Sequence, residues 1–311
     1  MKLVFCGTPQ FAVPTLEALI GAGHGIALVV TQPDRPQGRG LALAESPVKH
    51  CAQQHGLTIE QPEKIKNNAE FRQRLETVGA EAIVVVGYGR IIPPWMLSLP
   101  PRGNINLHGS LLPKYRGAAP IQWAIADGET VSGVTTMLLN EGLDTGDTLM
   151  KRELPIGPDE NAISYGQRLA TVGAEVMVET LRGLESGSVV QQPQDHSRAT
   201  LAPILKKEDG LANFNFPAQR VYDRLRGFQP WPGCYTFFRG KKLAITSARP
   251  SSSVPPDTPG KMKIHGDRLF AACGENSILE LLEVQPEGKR RMVVGDFLRG
   301  YRPSADERLG A

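Results

Sequence analysis

The sequence predicts an α/β chain in two parts, a parallel sheet covered by helices and then a small β-barrel or sandwich. Three observations carry that expectation. At 311 residues the chain is about twice the length of one average domain. Its first 190 residues alternate short Val- and Ile-rich runs with helical stretches, whereas the last part carries short runs separated by Gly and Pro turns. Between the two, Ser186 to Ala202 is rich in Gly, Ser, Gln and Pro, with Gln191-Gln192-Pro193-Gln194 at its centre, and this is linker composition.

In chain order, Lys2 to Cys6 reads as a strand that stops at Gly7-Thr8-Pro9, followed by a helix over Pro14 to Ala22 and a second strand over Ile26 to Thr31. Val48 to Gly56 is helix-like, and Ala69 to Val78 places apolar residues at helical spacing. Glu81 to Val86 and Asn104 to His108 complete the strand candidates of this half. Strand–helix–strand alternation implies a parallel sheet with helices on both faces, and such sheets bind ligands at the carboxyl ends of their strands. The second half opens with a helix around Ala218 to Arg226. Five short strands follow, at Cys234 to Phe238, Lys241 to Thr246, Lys261 to Ile264, Leu269 to Ala272 and Ile278 to Val284. The expected division is a first domain over 1–189, a linker over 190–205 and a second domain over 206–311.

Composition narrows the function class. Apolar residues make up 41% and charged residues 22%, which is globular. The longest apolar runs, Ile26 to Val30 and Ala82 to Val86, are strand-sized and far below the ~20 residues that span a bilayer. The four-residue apolar stretch near Met1 is too short for a signal-peptide core, so a cytoplasmic protein is expected. Four cysteines, Cys6, Cys51, Cys234 and Cys273, form no Cys-x-x-Cys pair and read as reduced structural thiols. The net charge of +3 divides unevenly: residues 1–202 hold 17 basic against 20 acidic groups, or −3, and residues 203–311 hold 18 against 12, or +6. A basic second half, on a small barrel, raises the prior for a nucleic-acid partner.

No Gly-x-Gly-x-x-Gly follows the first strand and no Gly-x-x-x-x-Gly-Lys-Ser/Thr occurs, which argues against a nicotinamide enzyme or a nucleoside triphosphatase. His24, His50, His55, His196 and His265 form no short-spaced set with Asp or Glu, so no metal is expected. The densest segment is Asn104-Ile105-Asn106-Leu107-His108-Gly109-Ser110-Leu111-Leu112-Pro113. On a strand, the two-residue period puts Asn106 and His108 on one face. An amide NH₂ can stabilise an oxyanion, and a histidine, whose ordinary pKa is ~6.5, can take or return a proton at neutral pH. Taken alone, such a pair more often caps a strand before a turn, and Asp144 in Gly142-Leu143-Asp144-Thr145-Gly146 equally makes an Asx-turn.

The run His108-Gly109-Ser110-Leu111-Leu112-Pro113-Lys114-Tyr115-Arg116-Gly117-Ala118-Ala119-Pro120, with Gly142-Leu143-Asp144-Thr145-Gly146 downstream, resembles the signature of the folate-dependent formyltransferases. The resemblance implies Asn106, His108 and Asp144 as the catalytic set. Thr31-Gln32-Pro33-Asp34-Arg35-Pro36-Gln37-Gly38-Arg39-Gly40 is similar to a loop inserted by the branch that acts on methionyl-tRNA. Lys206-Lys207-Glu208-Asp209-Gly210 and Phe228-Gln229-Pro230-Trp231-Pro232-Gly233-Cys234 resemble the opening of that branch's second domain. In that branch the loop often continues with lysines after Gly-Arg-Gly, whereas Leu41-Ala42-Leu43-Ala44 follows here and leaves Arg35 and Arg39 as its cations.

What the resemblance implies is a Rossmann-like, doubly wound formyltransferase domain followed by an OB-fold β-barrel. It further implies formyl transfer from 10-formyltetrahydrofolate, a cosubstrate rather than a metal cofactor, to the α-amine of methionyl initiator tRNA. Ser110, Leu111, Leu112 and Pro113 would flank the folate. Val86, Gly87 and Tyr88 either approach the pterin through backbone, glycine permitting close contact, or form a tight turn after a buried strand. Arg35 and Arg39 are candidates for the acceptor end of the tRNA, and Lys206, Lys207, Lys241, Lys242, Arg290 and Arg291 for its phosphates. The protein is expected to act as a monomer. The alternatives are a formyltransferase for an amino sugar nucleotide, which needs no arginine loop, and a non-catalytic tRNA-binding module.

Overall fold

Segments that are apolar on both faces become inner strands, because a parallel sheet is buried on both sides. The computed structural model describes residues 1–37, 42–304 and 307–310. It divides into two units, the first comprising 1–120, 131–155 and 165–203 and the second 121–130, 156–164 and 204–311.

In the first unit, strands β1 (Lys2–Gly7) and β2 (Gly25–Val30) flank helix α1 (Val13–Gly21). A two-stranded ribbon, β3 (Arg35–Gln37) and β4 (Ala42–Ala44), leads to α2 (Pro47–Gln54). Then follow β5 (Ile59–Glu60), α3 (Ala69–Val78), β6 (Ala82–Val86), α4 (Pro94–Leu97) and β7 (Asn104–His108). After α5 (Pro120–Ala126), which from Ile121 on counts with the second unit, come β8 (Val131–Leu138), β9 (Thr148–Pro155) and the long α6 (Ala162–Ser186). The main sheet has the order β5-β2-β1-β6-β7-β8-β9. Its first five strands are parallel, as the alternation of elements predicts, while β8 pairs antiparallel with β7 and β9 antiparallel with β8. Sequence reading does not reach these two strands. Edge strand β9 alternates exposed and covered residues through Lys151, Arg152 and Glu153, so it shows no apolar run.

The order reverses between β1 and β6, the place where such sheets usually take a ligand. Here protein atoms occupy part of it. The Thr8 hydroxyl donates to the Tyr88 carbonyl at 3.2 Å, and Gly87, at φ 56°, lies where a Cβ would meet Pro9 Cγ at 2.8 Å. Only glycine combines that backbone with so close an approach. The candidate residues Asn106 and His108 lie one strand further on, at the end of β7.

The second unit is built on α7 (Ala218–Gly227), β10 (Cys234–Phe238), β11 (Lys241–Ser251), β12 (Met262–His265), β13 (Arg268–Cys273), β14 (Ser277–Pro286), β15 (Met292–Val293) and α8 (Val294–Tyr301). The antiparallel path runs β10-β11-β14-β13-β12, with β15 on β14. Strand β11 runs past its expected end at Thr246, because register shifts around Ser247 let it bend and keep pairing β14. The last described residues join the two ends of the path. Arg308 bridges Lys261, Leu309 N–H donates to Gly260 at 2.8 Å, and Gly310 N–H donates to Phe237 on β10 at 2.9 Å. Phe297 of α8 stacks on Tyr301 at 4.7 Å and packs edge-on against Phe238, sealing the core.

Two excursions from the first half of the chain count with this unit. Trp123 meets Phe228 edge-on at 5.2 Å, and Tyr222 donates to Asp159 at 2.7 Å. Burial and the Asp159 carboxylate push the Tyr222 phenol up to about 12. No helix among the described residues is long and apolar enough to cross a membrane.

Candidate active site at the end of strand β7

The alternation of β7 sends Asn104, Asn106 and His108 to one face. The Asn104 amide donates to Met96 and Leu97 carbonyls at 3.0 Å each, anchoring the start of the strand to α4. Asn106 is half-buried, and its side chain bonds to none of the described residues. His108 is buried, with Nε2 2.8 Å from the Tyr115 carbonyl. A carbonyl only accepts, so Nε2 carries the hydrogen and the neutral ring keeps its lone pair on Nδ1. That Nδ1 lies 3.7 Å from Asp144 Oδ2.

Asp144 reaches this position on a tight turn at φ 51°. Asn140 Oδ1 accepts from Gly142 N–H at 3.0 Å and from the Thr145 hydroxyl at 2.8 Å. Gly146 follows where any Cβ would lie 1.8 Å from the Leu138 carbonyl. Asp144 Oδ2 accepts from Gly117 N–H at 2.8 Å, which orients the carboxylate toward the imidazole. The three residues named from the motif are thus gathered at the carboxyl end of β7.

The four residues expected to flank folate have different environments. The Ser110 hydroxyl is spent on the Lys114 carbonyl at 2.7 Å. Thr135 holds the loop twice, donating to the Ser110 carbonyl at 2.7 Å and accepting from Leu112 N–H at 3.1 Å. Lys151 Nζ donates to the Leu112 carbonyl at 2.6 Å, and burial followed by the nearby Arg198 charge pulls its ammonium below the usual lysine range. Leu112 is buried, which leaves Leu111 and Pro113 partly exposed. On the neighbouring strand, Val86 is buried and the Tyr88 ring lies in the core, where burial pushes its phenol up. The Tyr88 carbonyl accepts from both Thr8 and Gln32.

Of the basic residues, Arg35 is exposed on the β3–β4 ribbon, 3.4 Å from Glu63, and Arg39 lies outside the described residues. The base of that ribbon is pinned where Thr31 and Ser46 share a hydrogen bond of 2.7 Å and Lys49 bonds both Asp34 and Glu45. Lys241 and Lys242 open β11. The turn carrying Arg290 and Arg291 lies beside them, because Glu287 N–H donates to the Lys242 carbonyl at 2.9 Å. Lys242 stands over the Tyr235 ring at 4.1 Å and Arg291 pairs with Glu283. Lys206 and Lys207 are exposed at the short turn before Leu211. The side-chain cations of Lys206, Lys207, Lys241 and Arg290 have no carboxylate partner among the described residues, although Lys206 N–H donates to the Asp209 carboxylate at 2.6 Å.

Sequence reading passes over Arg116 and Gln194, which bond each other beside Asp144 at 2.7 Å. Gln194 lies in a stretch that composition marks as linker, so no local pattern points to it. Glu17, Cys51 and His55 bring possible metal-ligand atoms within 4.8 Å of one another. Burial and the Glu17 charge raise the Cys51 thiol, favouring the protonated form over the thiolate a metal requires.

Residues 1–181 match the family described as Formyl transferase, and residues 204–302 match Formyl transferase, C-terminal domain. Among solved structures, an N-formyltransferase of Helicobacter canadensis, in complex with folinic acid and dTDP-3-aminofucose, superposes with a TM-score of 0.65 at 15% identity. It covers 92% of this chain and 99% of its own. HypX of Aquifex aeolicus, in complex with tetrahydrofolic acid, gives a TM-score of 0.64 at 15% identity over 98% of this chain, which spans 48% of that protein. These two likenesses carry the fold alone. The methionyl-tRNA formyltransferase of Koribacter versatilis is 58% identical over 310 residues, 100% of this chain and 99% of the relative. Identity at that level, held through both domains from end to end, is closer than a shared fold alone requires, and the chain belongs to the methionyl-tRNA formyltransferase family.

Proposed function

We propose that this chain transfers the formyl group of 10-formyltetrahydrofolate to the α-amine of methionine on initiator tRNA, giving N-formylmethionyl-tRNA for translation initiation. One observation carries the reading: at one strand end, the uncommitted Asn106 amide neighbours an imidazole whose Nδ1 faces Asp144. An α-amine titrates near ~7.7–8.0, so a useful fraction of the nucleophile is neutral at physiological pH. Its lone pair attacks the formyl carbon, the carbonyl electrons move to oxygen, and the nitrogen becomes an ammonium. Asn106 Nδ2 donates to that oxyanion, a contribution of about 2.7–4 kcal/mol for one such donor.

The ammonium proton goes to His108 Nδ1, since Nε2 is committed to the Tyr115 carbonyl. The imidazolium so formed sits against the Asp144 carboxylate, and the 3.7 Å gap suits a bridging water better than a direct bond. His108 then returns the proton to the departing folate nitrogen as the oxyanion collapses and the carbon–nitrogen bond breaks. Leu111 and Pro113, with the backbone at Gly87, flank the folate, whose lack of phosphate matches the missing phosphate loop. Arg35 and Arg39 meet the acceptor end, and Lys206, Lys207, Lys241, Lys242, Arg290 and Arg291 meet backbone phosphates. Both substrates place the reaction in the cytosol, and one chain carries every residue it uses, so a monomer suffices.

The test supplies purified protein with formyl donor and one of three acceptors: methionyl initiator tRNA, methionyl elongator tRNA or an amino sugar nucleotide. Formylation of the initiator alone is expected. Product on the sugar nucleotide instead points to the sibling activity, and none on any acceptor points to a non-catalytic binding module.

A further inference from the structure

Arg116 is a buried cation with no carboxylate partner among the described residues. Its guanidinium donates to Gln194 Oε1 from Nε at 3.2 Å and from a terminal nitrogen at 2.7 Å, and a terminal nitrogen lies 3.0 Å from His196 Nδ1. Arginine only donates, so the amide atom facing it is the oxygen, and Gln194 Nε2 points the other way. There it donates to the Asp144 carbonyl at 2.9 Å and to the Gly146 carbonyl at 2.7 Å. Both acceptors belong to the turn that carries Asp144, one of them Asp144's own carbonyl, and its φ of 51° is sparsely populated for a side-chain-bearing residue.

The same stretch of chain also holds the histidine. Tyr115 N–H donates to the Thr200 hydroxyl at 2.8 Å, Arg116 N–H to the Thr200 carbonyl at 2.8 Å, and Ala202 N–H to the Arg116 carbonyl at 2.7 Å. Tyr115 in turn supplies the carbonyl that receives His108 Nε2. Gln192 pairs with Thr148 just beyond the Asp144 turn, with both backbone bonds at 2.9 Å. Residues 192–202 therefore form a strap that refers Asp144 and His108 to one common segment.

We propose that Gln194, locked by the Arg116 guanidinium, is a positioning residue for formyl transfer, fixing the Asp144 carboxylate at its working distance from His108. This rests on the functional reading above. The charged donor polarises the amide and strengthens its two N–H bonds, so one side chain sets both the rotation and the height of the turn.

Gln194→Glu keeps the oxygen that Arg116 holds and removes both donors to the turn. In formylation of methionyl initiator tRNA, kcat is expected to fall on the order of ten- to a hundred-fold, with KM for tRNA and for folate each within about twofold. A merely structural role would raise KM or lower the melting temperature instead. In an Asp144→Asn background, Gln194→Glu should cost less than about twofold, because the turn no longer carries a working carboxylate. Full activity of Gln194→Glu, or losses that multiply in the double variant, overturns the proposal. If Gln194→Glu does not fold, Arg116→Lys, which keeps the charge and loses the fork, carries the same expectation and the same refutation. Wild-type activity that Asp144→Asn lowers to a measurable remainder sustains the functional reading whatever Gln194 does, whereas an inactive wild type overturns both.

Discussion

A hydrogen-bond donor accelerates a reaction most where charge appears only in the transition state, and that is the role proposed for Asn106. Asn106→Ala should lower kcat about a hundred- to a thousand-fold while KM for folate stays within about twofold, measured by steady-state formylation at saturating tRNA. A variant near wild-type rate would remove the oxyanion role. Burial makes a second residue-scale prediction. The Cys234 and Cys273 thiols are pushed up to about 12, and Cys6 and Cys51 are also raised. Thiolate is then scarce at neutral pH, so a disulfide reagent should label the native protein slowly and all four cysteines rapidly in denaturant. The Asn106–His108 pairing was legible in the sequence because a strand repeats every two residues. Which ring nitrogen of His108 is committed was not legible, since it depends on a carbonyl seven residues on that folds back across the loop.

Many elements with an apolar period are legible in the sequence, but the amphipathic helices α6 and α8 stand beside β8 and β9 among those it does not anticipate. Strand β9 and the closing tail lack that signal, because each is shaped by the strand it pairs with rather than by its own composition. The tail is held by the Arg239 guanidinium, which with Ser304 N–H draws the Glu307 carboxyl down to about 2. With the folded value below the ordinary ~4.3, this contribution to stability is complete above that pH and is lost as pH falls toward the folded value. The melting temperature of the wild type should therefore exceed that of Glu307→Gln near about pH 6, and the gap should narrow between about pH 4 and 2. A gap independent of pH would show that the ion pair does not hold the tail.

At the scale of the whole molecule, the excess positive charge of residues 203–311 is partly consumed internally. Glu280 holds both Arg249 and Arg268, Glu283 holds Arg291, and Asp296 holds Arg299. What remains uncommitted includes Lys241 and Arg290, which backbone pairing brings to one end of the second unit. The KM for tRNA should rise steeply between about 50 and 200 mM salt, with KM for folate nearly constant. Lys241→Ala with Arg290→Ala should raise KM for tRNA and flatten that salt dependence; a salt-insensitive KM would remove the phosphate contacts. The sequence by itself determined the order of the inner strands and several helices, the residue types at the candidate site and the family, because all three are written in short-range periodicity and contiguous motif. Only the tertiary structure decided which cations stay available, how the last residues close the second unit, and that a stretch of linker composition is a strap across the site. Those facts depend on partners such as Arg116 and Gln194, 78 residues apart, whose meeting no local pattern encodes.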